Sequence, residues 1–253
     1  VSTAGLTTRA TVISGAPTKS VMSIVSERDR HLIMLGTETT IGSSATQDKM
    51  FIRFSDQENI SDYTATSINT AGSLRLDSGV KIVGAAKGKD YILILTDTSA
   101  YIMQFVGPPF TFSIRQVGSN CGAIGQHSIK YVNGKVFWMG QAGGFFVYDG
   151  TVKSLPCLVE DFVFTFTGNN LVTDNIGINY TNGEQVYAGL NHLYEEITWF
   201  YPKNGSDEVD RQVTYNYSEN TWHTGSLART SWADSTLYDN PYATDYNTTG
   251  VPT

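Results

Sequence analysis

A unit made of a glycine turn followed by an apolar strand recurs along the chain, and this repeat constrains the fold more than any other feature. The turns carry Gly88, Gly134 and Gly183, which are 46 and 49 residues apart. Each glycine precedes a short alternating strand, and further β-prone segments flank each unit. A period of about 40–50 residues with up to four strands per unit is typical of β-propellers, where each unit forms one blade.

The sequence therefore predicts an all-β, β-propeller-like fold with about four recognisable blades. Asn133-Gly134 and Asn182-Gly183 predict hairpin turns, because this pair adopts two successive positive φ angles at the lowest cost. One short helix is expected within 156–166, and a β-sandwich is the alternative architecture. The blade-forming segments are expected near residues 28–70, 80–118, 122–156 and 174–225.

The repeat also suggests how the chain is organised. Residues 28–235 are expected to form the blades. Residues 1–27 are rich in Ser, Thr, Gly and Ala and are expected to form an N-terminal arm or connector. Residues 236–253 are expected to form a C-terminal loop or connector. The sequence does not begin with Met, and few blades can be counted, so we expect a partial chain of a larger propeller protein.

Composition excludes several classes of protein. Only 16% of the 253 residues are charged and 12% are aromatic, which is typical neither of a disordered chain nor of a coiled coil. A net charge of −7 argues against a general nucleic-acid clamp, which would normally be basic. No apolar run is long enough for a membrane helix. Cys121 and Cys157 are too few for a disulfide framework and are interpreted as free thiols, although a single bridge between them is the alternative.

A search for catalytic chemistry finds no established motif. The sequence contains no HExxH or CxxC zinc motif, no GxSxG elbow and no phosphate-binding loop. Cys121, with His127 six residues later, is interpreted as part of a tight connection rather than as a nucleophile. Propellers do host glycosidases, but no convincing pair emerges among the carboxylates. Those considered are Asp90, Asp97, Asp149, Glu160 and Asp161. The sequence predicts no enzyme activity, no cofactor and no metal site.

Three stretches, read together, carry a family resemblance. The first is 122–150, the second is 154–164 and the third is 209–234. Their shared pattern consists of Trp138, Gly143-Gly144, Tyr148-Asp149-Gly150, Pro156, Val159, Asp161, Val163-Phe164, Tyr215-Asn216, Asn220, Trp222, Gly225, Arg229-Thr230, Trp232 and Asp234. This succession resembles the tail nozzle or hub proteins of short-tailed bacteriophages, also called tail tubular protein B or packaged-DNA stabilisation proteins. The resemblance covers about residues 80–235.

The resemblance implies a structural component of a phage virion tail. Such proteins form a homo-oligomeric tube, expected to be a hexameric ring, that retains and conducts the DNA genome. The implied partners are the portal-adaptor and tail fibre proteins, with genomic DNA passing through the channel without sequence-specific binding. A negative net charge suits a conduit, since Lys and Arg contacts would trap phosphates.

Five residues are the candidate structural or interface sites. Trp138 and Trp222 are expected to be buried between sheets. Arg229, Trp232 and Asp234 are expected to form a clasp between blades or subunits, with Arg229 paired to Asp234 or to a neighbouring subunit; a plain surface loop is the alternative for this segment. A carbohydrate-binding or carbohydrate-active β-propeller, with surface aromatic rings as sugar platforms, remains the alternative function.

Overall fold

The computed structural model describes residues 12–164, 177–234 and 240–245. Within these residues lie 18 strands, one short α-helix and three short 3-10 helices. The strands are β1 (Met22–Ser26), β2 (His31–Leu35), β3 (Phe51–Phe54), β4 (Gly72–Arg75), β5 (Ile82–Lys87), β6 (Ile92–Thr96), β7 (Ser99–Gly107), β8 (Thr111–Ser119), β9 (Ile129–Val132), β10 (Lys135–Met139), β11 (Phe145–Tyr148), β12 (Val152–Leu155), β13 (Tyr187–Asn191), β14 (Glu196–Tyr201), β15 (Arg211–Asn216), β16 (Thr221–Gly225), β17 (Ser231–Ala233) and β18 (Tyr242–Thr244). The 3-10 helices are Ser44–Thr46, Gln126–Ser128 and Tyr180–Gln185, and the α-helix α1 is Glu160–Phe164.

The strands form four successive four-stranded sheets in which neighbours in sequence are neighbours in space. Their orders are β1-β2-β3-β4, β5-β6-β7-β8, β9-β10-β11-β12 and β13-β14-β15-β16. We call them sheets 1 to 4. A two-stranded sheet, β17-β18, follows them. Sequential four-stranded meanders are the blades of a β-propeller, so the predicted all-β, β-propeller-like fold with four blades is confirmed.

Of the two predicted Asn-Gly hairpin turns, one is confirmed and one is wrong. Asn133 and Gly134 have φ angles of 48° and 82° and join β9 to β10, as predicted for a hairpin turn. Asn182 instead has a φ of −104° within the 3-10 helix Tyr180–Gln185, so that prediction is wrong. Asn179 caps this helix by accepting a hydrogen bond from the Thr181 N–H, which favours a helical turn over a hairpin.

This error shifts the third repeat by one strand. The repeat aligns residues 185–190 with the second strand of a blade, but β13 is the first strand of sheet 4. The segment 175–180 is expected to precede it as a strand. Within its described part, Ile178 makes only an isolated bridge to Lys203. The predicted short helix is confirmed as α1.

The chain divides into two compact units. Unit 1 contains the residues up to Asp77 together with Phe105–Ser113, the end of the β7–β8 hairpin. Its core includes Ile33, Leu35 and Ile52 of sheet 1, none of them exposed. Unit 2 contains Ser78–Gln104 and the residues from Ile114 onward.

In unit 2, sheet 3 lies between two apolar cores because both faces of its strands are apolar. Val136 and Trp138 of β10 point to the core shared with Leu93 and Leu95 of sheet 2. Alternate residues of the same strand point to the core shared with sheet 4; these are Phe137 and Met139. A strand with two buried faces reads as a nearly continuous apolar run, as the sequence of β10 does.

Two strands lie in the predicted connectors. β1 falls within 1–27 and forms an edge of sheet 1, and β18 falls within 236–253. Cys121 is buried and Cys157 is partly buried, and both are free thiols. No helix in the described ranges is long and apolar enough to cross a membrane.

Candidate functional site

Trp138 anchors sheet 2 to sheet 3. It is fully buried, as predicted, and its indole N–H donates a 2.7 Å hydrogen bond to the Cys121 carbonyl. Its ring stacks on Phe146 with the centroids 5.7 Å apart. A buried Trp with a satisfied N–H contributes both apolar area and directional binding.

Trp222 joins the three stretches on which the family resemblance rests. The centroid of its ring lies 4.7 Å from the ring centroid of Phe145 in the first stretch and 4.6 Å from that of Tyr215 in the third. Its N–H donates a 2.9 Å hydrogen bond to the carbonyl of Pro156 in the second stretch. The ring is half-buried rather than fully buried, because β16 is an edge strand of sheet 4.

Asn216 shapes the turn that presents Trp222. Its side-chain oxygen accepts hydrogen bonds from the backbone N–H groups of Ser218 (3.0 Å) and Glu219 (2.8 Å). Asn220 follows in the left-handed region, with a φ of 57°, and accepts a 2.7 Å hydrogen bond from the Tyr215 hydroxyl. Short polar side chains of this kind stabilise turns by replacing backbone partners.

Residues 229–234, which we call the clasp, dock on the β13 edge of sheet 4. The Trp232 indole N–H donates to the Leu190 carbonyl at 3.0 Å. One carboxylate oxygen of Asp234 accepts from the Leu190 N–H at 2.8 Å, and the other lies 3.5 Å from Lys130 Nζ of β9. Asp234 therefore links the first strands of sheets 3 and 4.

Gly189 makes the close approach of the clasp possible. A Cβ atom at this position would lie 2.6 Å from the Trp232 ring. The indole also packs on Phe200 of β14, whose ring centroid is 5.3 Å away. The contributions of Gly189, Leu190 and Lys130 were missed by sequence reasoning. The one signal in the sequence was the glycine within the strand at Gly189, because a strand glycine often marks a place where another group approaches the backbone closely.

The expected ion pair within the clasp is wrong. Arg229 Nη1 lies 3.7 Å from Asp245 and donates to the carbonyl of its own neighbour Ala228. Asp234 is instead engaged by Leu190 and Lys130. The Asp234 carboxylate faces the sheet edge. The N–H of Leu190 there is not bound by a further strand, and such a group binds a carboxylate well.

Several of the thiols and carboxylates considered for catalysis are buried or make hydrogen bonds within the fold. Burial raises the pKa of both thiols, Cys121 and Cys157, to about 11, which keeps them protonated near neutral pH. Asp97, directly after β6, accepts a 2.9 Å hydrogen bond from the N–H of Val80, which precedes β5. The hydrogen bond from Lys153 lowers the pKa of Asp149. The described residues contain no group of three His, Cys, Asp or Glu side chains that could hold a metal ion.

Comparisons with known proteins were made on sequence and on structure. No family model and no curated protein matches the chain. The N-terminal domain of Nup159 matches with 8% identity and a TM-score of 0.42 over 85% of this chain and 46% of that one. Hsv2 of Kluyvelomyces marxianus matches with 9% identity and a TM-score of 0.38 over 78% and 46%. The AfRom2 CNH domain matches with 12% identity and a TM-score of 0.42 over 84% and 60%. The chain thus spans about half the length of the first of these structures.

Proposed function

We propose that this protein is a non-enzymatic structural component of a phage virion tail, of the nozzle or hub type. Its copies form a homo-oligomeric ring around an axial channel that retains and conducts the DNA genome. The observation that carries the proposal is the position of Trp222, whose contacts with Phe145, Tyr215 and Pro156 join all three stretches of the resemblance. The shared pattern is thus a set of packing residues, as a structural component requires.

Charge supports the same proposal. The chain carries 17 basic and 24 acidic residues. A wall of this charge does not hold phosphates tightly, so DNA can slide past it without sequence-specific contacts. The ring is expected to be hexameric and to contact portal-adaptor and tail fibre proteins in the virion.

The test is the assembled state of the purified protein. Size-exclusion chromatography with light scattering gives the mass, and negative-stain microscopy gives the shape. Rings with an open centre would support the proposal. A stable monomer that binds or turns over glycans on an array would overturn it in favour of the carbohydrate-directed alternative.

A second test uses the assembled particle. Charge reversal of Arg229 to Glu is expected to weaken assembly or genome retention, because the clasp then loses its basic group. Alanine at Asp149 or Glu160 is the matched control and is expected to leave assembly and retention unchanged. Particles that retain DNA equally well with the Arg229→Glu variant would contradict a role for the clasp in assembly.

A further inference from the structure

The sequence contains three Asn-Gly pairs, and in such pairs an asparagine amide is lost more readily than elsewhere. They are Asn133-Gly134, Asn182-Gly183 and Asn204-Gly205. In this reaction the backbone nitrogen of the glycine attacks the side-chain carbonyl carbon of the asparagine, so the peptide plane between the two residues must turn toward that carbon. Glycine has no Cβ to hinder the attack, and the fold therefore decides which pair can make this movement.

The fold restrains Asn182-Gly183 most. Both residues lie inside the 3-10 helix Tyr180–Gln185. The side-chain amide of Asn182 donates a 3.2 Å hydrogen bond to the Asp207 carboxylate, which holds the group that would have to react. Gly183 is buried, and a Cβ on it would lie 2.9 Å from Ile124, so its backbone has little space in which to turn.

Strand pairing restrains Asn133-Gly134. Both residues are exposed, but they form the two-residue turn between β9 and β10, and the flanking Val132 and Lys135 are partners in the ladder. The side chain of Asn133 also forms a hydrogen bond with the Tyr217 hydroxyl. The peptide plane of this turn therefore cannot rotate far without loss of the adjoining strand pair.

Asn204-Gly205, between β14 and β15, is restrained least. Gly205 is exposed with a φ of 79°, and a Cβ on it would meet no atom within 4 Å, so its backbone nitrogen has space to move. One hydrogen bond closes the turn, from the Ser206 N–H to the Lys203 carbonyl at 2.9 Å. The Asn204 N–H donates to the Gly177 carbonyl, but this amide takes no part in the reaction. Among the residues that the structure describes, none forms a hydrogen bond with the Asn204 side chain.

We infer that Asn204-Gly205 is a site of spontaneous deamidation and that it reacts before the other two Asn-Gly pairs. The Gly205 nitrogen forms a bond to Cγ of Asn204 and gives up its proton, and the side-chain nitrogen of Asn204 leaves as ammonia. Water then opens the resulting succinimide ring at either of its carbonyl groups, which yields aspartate or isoaspartate. Solvent water is the only other reactant, and the inference does not depend on the proposed function.

The modification changes the charge and the backbone at one end of sheet 4. A carboxylate at position 204 adds a negative charge to a segment in which Asp207 and Glu208 are already exposed. Isoaspartate also lengthens the backbone of the turn by one methylene group, which weakens the hydrogen bond between Ser206 and Lys203. We therefore expect the protein to become more acidic as it ages and the β14–β15 turn to open more readily.

The test compares the three pairs within one protein. The purified protein is incubated at mildly alkaline pH in water enriched in heavy oxygen, so that each new carboxyl group carries the label, and tryptic peptides are analysed by mass spectrometry. Asn204 lies in peptide 204–211 and Asn133 in peptide 131–135. Asn204 is expected to convert at least about tenfold faster than Asn133 or Asn182, because both of these require local unfolding first. In urea the three rates are expected to converge, since the fold no longer distinguishes the pairs.

Two matched variants identify the source of the new charge. Asn204→Gln is expected to remove the acidic species that appears first in ion-exchange chromatography, because glutamine forms a cyclic intermediate much more slowly. Asn182→Gln is the control and is expected to retain that species. Equal labelling of the three pairs in the folded protein, or an acidic species that persists in Asn204→Gln, overturns the inference. Rates that keep the same order in urea would also overturn it, because the neighbouring residues rather than the fold would then set the order.

Discussion

Trp232 and Leu190, 42 residues apart, are joined by a hydrogen bond from the indole N–H to the backbone carbonyl at 3.0 Å. The N–H of the same Leu190 is bound by Asp234 at 2.8 Å. Two side chains of the clasp therefore satisfy both backbone groups of one edge-strand residue. An unpaired strand edge can recruit another chain, and side chains that occupy its hydrogen-bonding groups prevent this.

The close packing of Trp232 on Gly189 predicts a strong coupling between the two positions. Gly189→Ala is expected to destabilise the protein by about 2 kcal/mol, because the new Cβ overlaps the indole ring 2.6 Å away. In a Trp232→Ala background the same change is expected to cost little, since the overlapping ring is gone. A double-mutant cycle by urea unfolding measures the coupling. Equal costs of Gly189→Ala in both backgrounds would contradict the described contact.

Trp222 is expected to contribute less than a fully buried tryptophan. Truncation to Ala typically costs about 3–5 kcal/mol at a fully packed site, and for the half-buried Trp222 we expect about 2–3 kcal/mol. Trp222→Phe keeps the contact with Phe145 but removes the donor to Pro156, and we expect it to cost about 1 kcal/mol. Thermal unfolding measures both variants. A cost for Trp222→Phe equal to that for Trp222→Ala would assign the whole effect to the hydrogen bond.

Two glycines that look alike in sequence predict two different responses to alanine. Gly134 has a φ of 82°, and a Cβ added to it would have no atom within 4 Å. Gly134→Ala is therefore expected to cost about 1–2 kcal/mol from the backbone alone. Gly183 does not have a positive φ, but its Cβ would lie 2.9 Å from Ile124. Gly183→Ala is therefore expected to destabilise the protein through a clash with the Ile124 side chain.

The two mechanisms are separable. Shortening the neighbour with Ile124→Val is expected to reduce the cost of Gly183→Ala and to leave that of Gly134→Ala unchanged. Gly134→Asn is a further control, because Asn tolerates the left-handed region better than Ala. Rescue of Gly134→Ala by Ile124→Val would show that the turn is not the source of its cost.

Sequence patterns predicted the sheets better than the connections between them. The short apolar run of β10 predicted a strand, and Asn133-Gly134 predicted the turn before it, because both depend on residues that are close together in the sequence. The position of Asn182-Gly183 was misjudged because capping by Asn179 favours a 3-10 helix there. The partners of the clasp could not be predicted, since Leu190 is recognised by its backbone and not by its side chain.

Three carboxyl groups of unit 1 have lowered pKa values, so we expect the stability of this unit to be sensitive to acid. Hydrogen bonds from the Thr70 N–H (2.8 Å) and hydroxyl (2.7 Å) lower the pKa of Asp56. Burial alone would raise the pKa of Glu38 and of Asp48. Hydrogen bonds from Thr18 and Gly42 nevertheless lower that of Glu38, and those from Met50 and Arg75 lower that of Asp48.

The sign of the effect follows from the direction of these shifts. A carboxyl whose pKa is lower in the folded state stabilises the protein fully above its unfolded pKa and loses this contribution as the pH falls through its folded pKa. The ordinary values are 3.8 for Asp56 and Asp48 and 4.5 for Glu38, so we expect unit 1 to lose stability as the pH falls below about 4.5.

Two probes separate the acid response of the units. All four tryptophans, Trp138, Trp199, Trp222 and Trp232, belong to unit 2, so tryptophan fluorescence reports on that unit alone. Hydrogen exchange of peptides from 31–54 reports on unit 1. As the pH falls below about 4.5, exchange in unit 1 is expected to rise before the fluorescence changes. The Glu38→Gln and Asp56→Asn variants are expected to be less stable at pH 7 and to show a weaker dependence on acid, because the titrating group is gone. Simultaneous changes in both probes, or an unaltered acid response in both variants, would contradict this origin of the acid sensitivity.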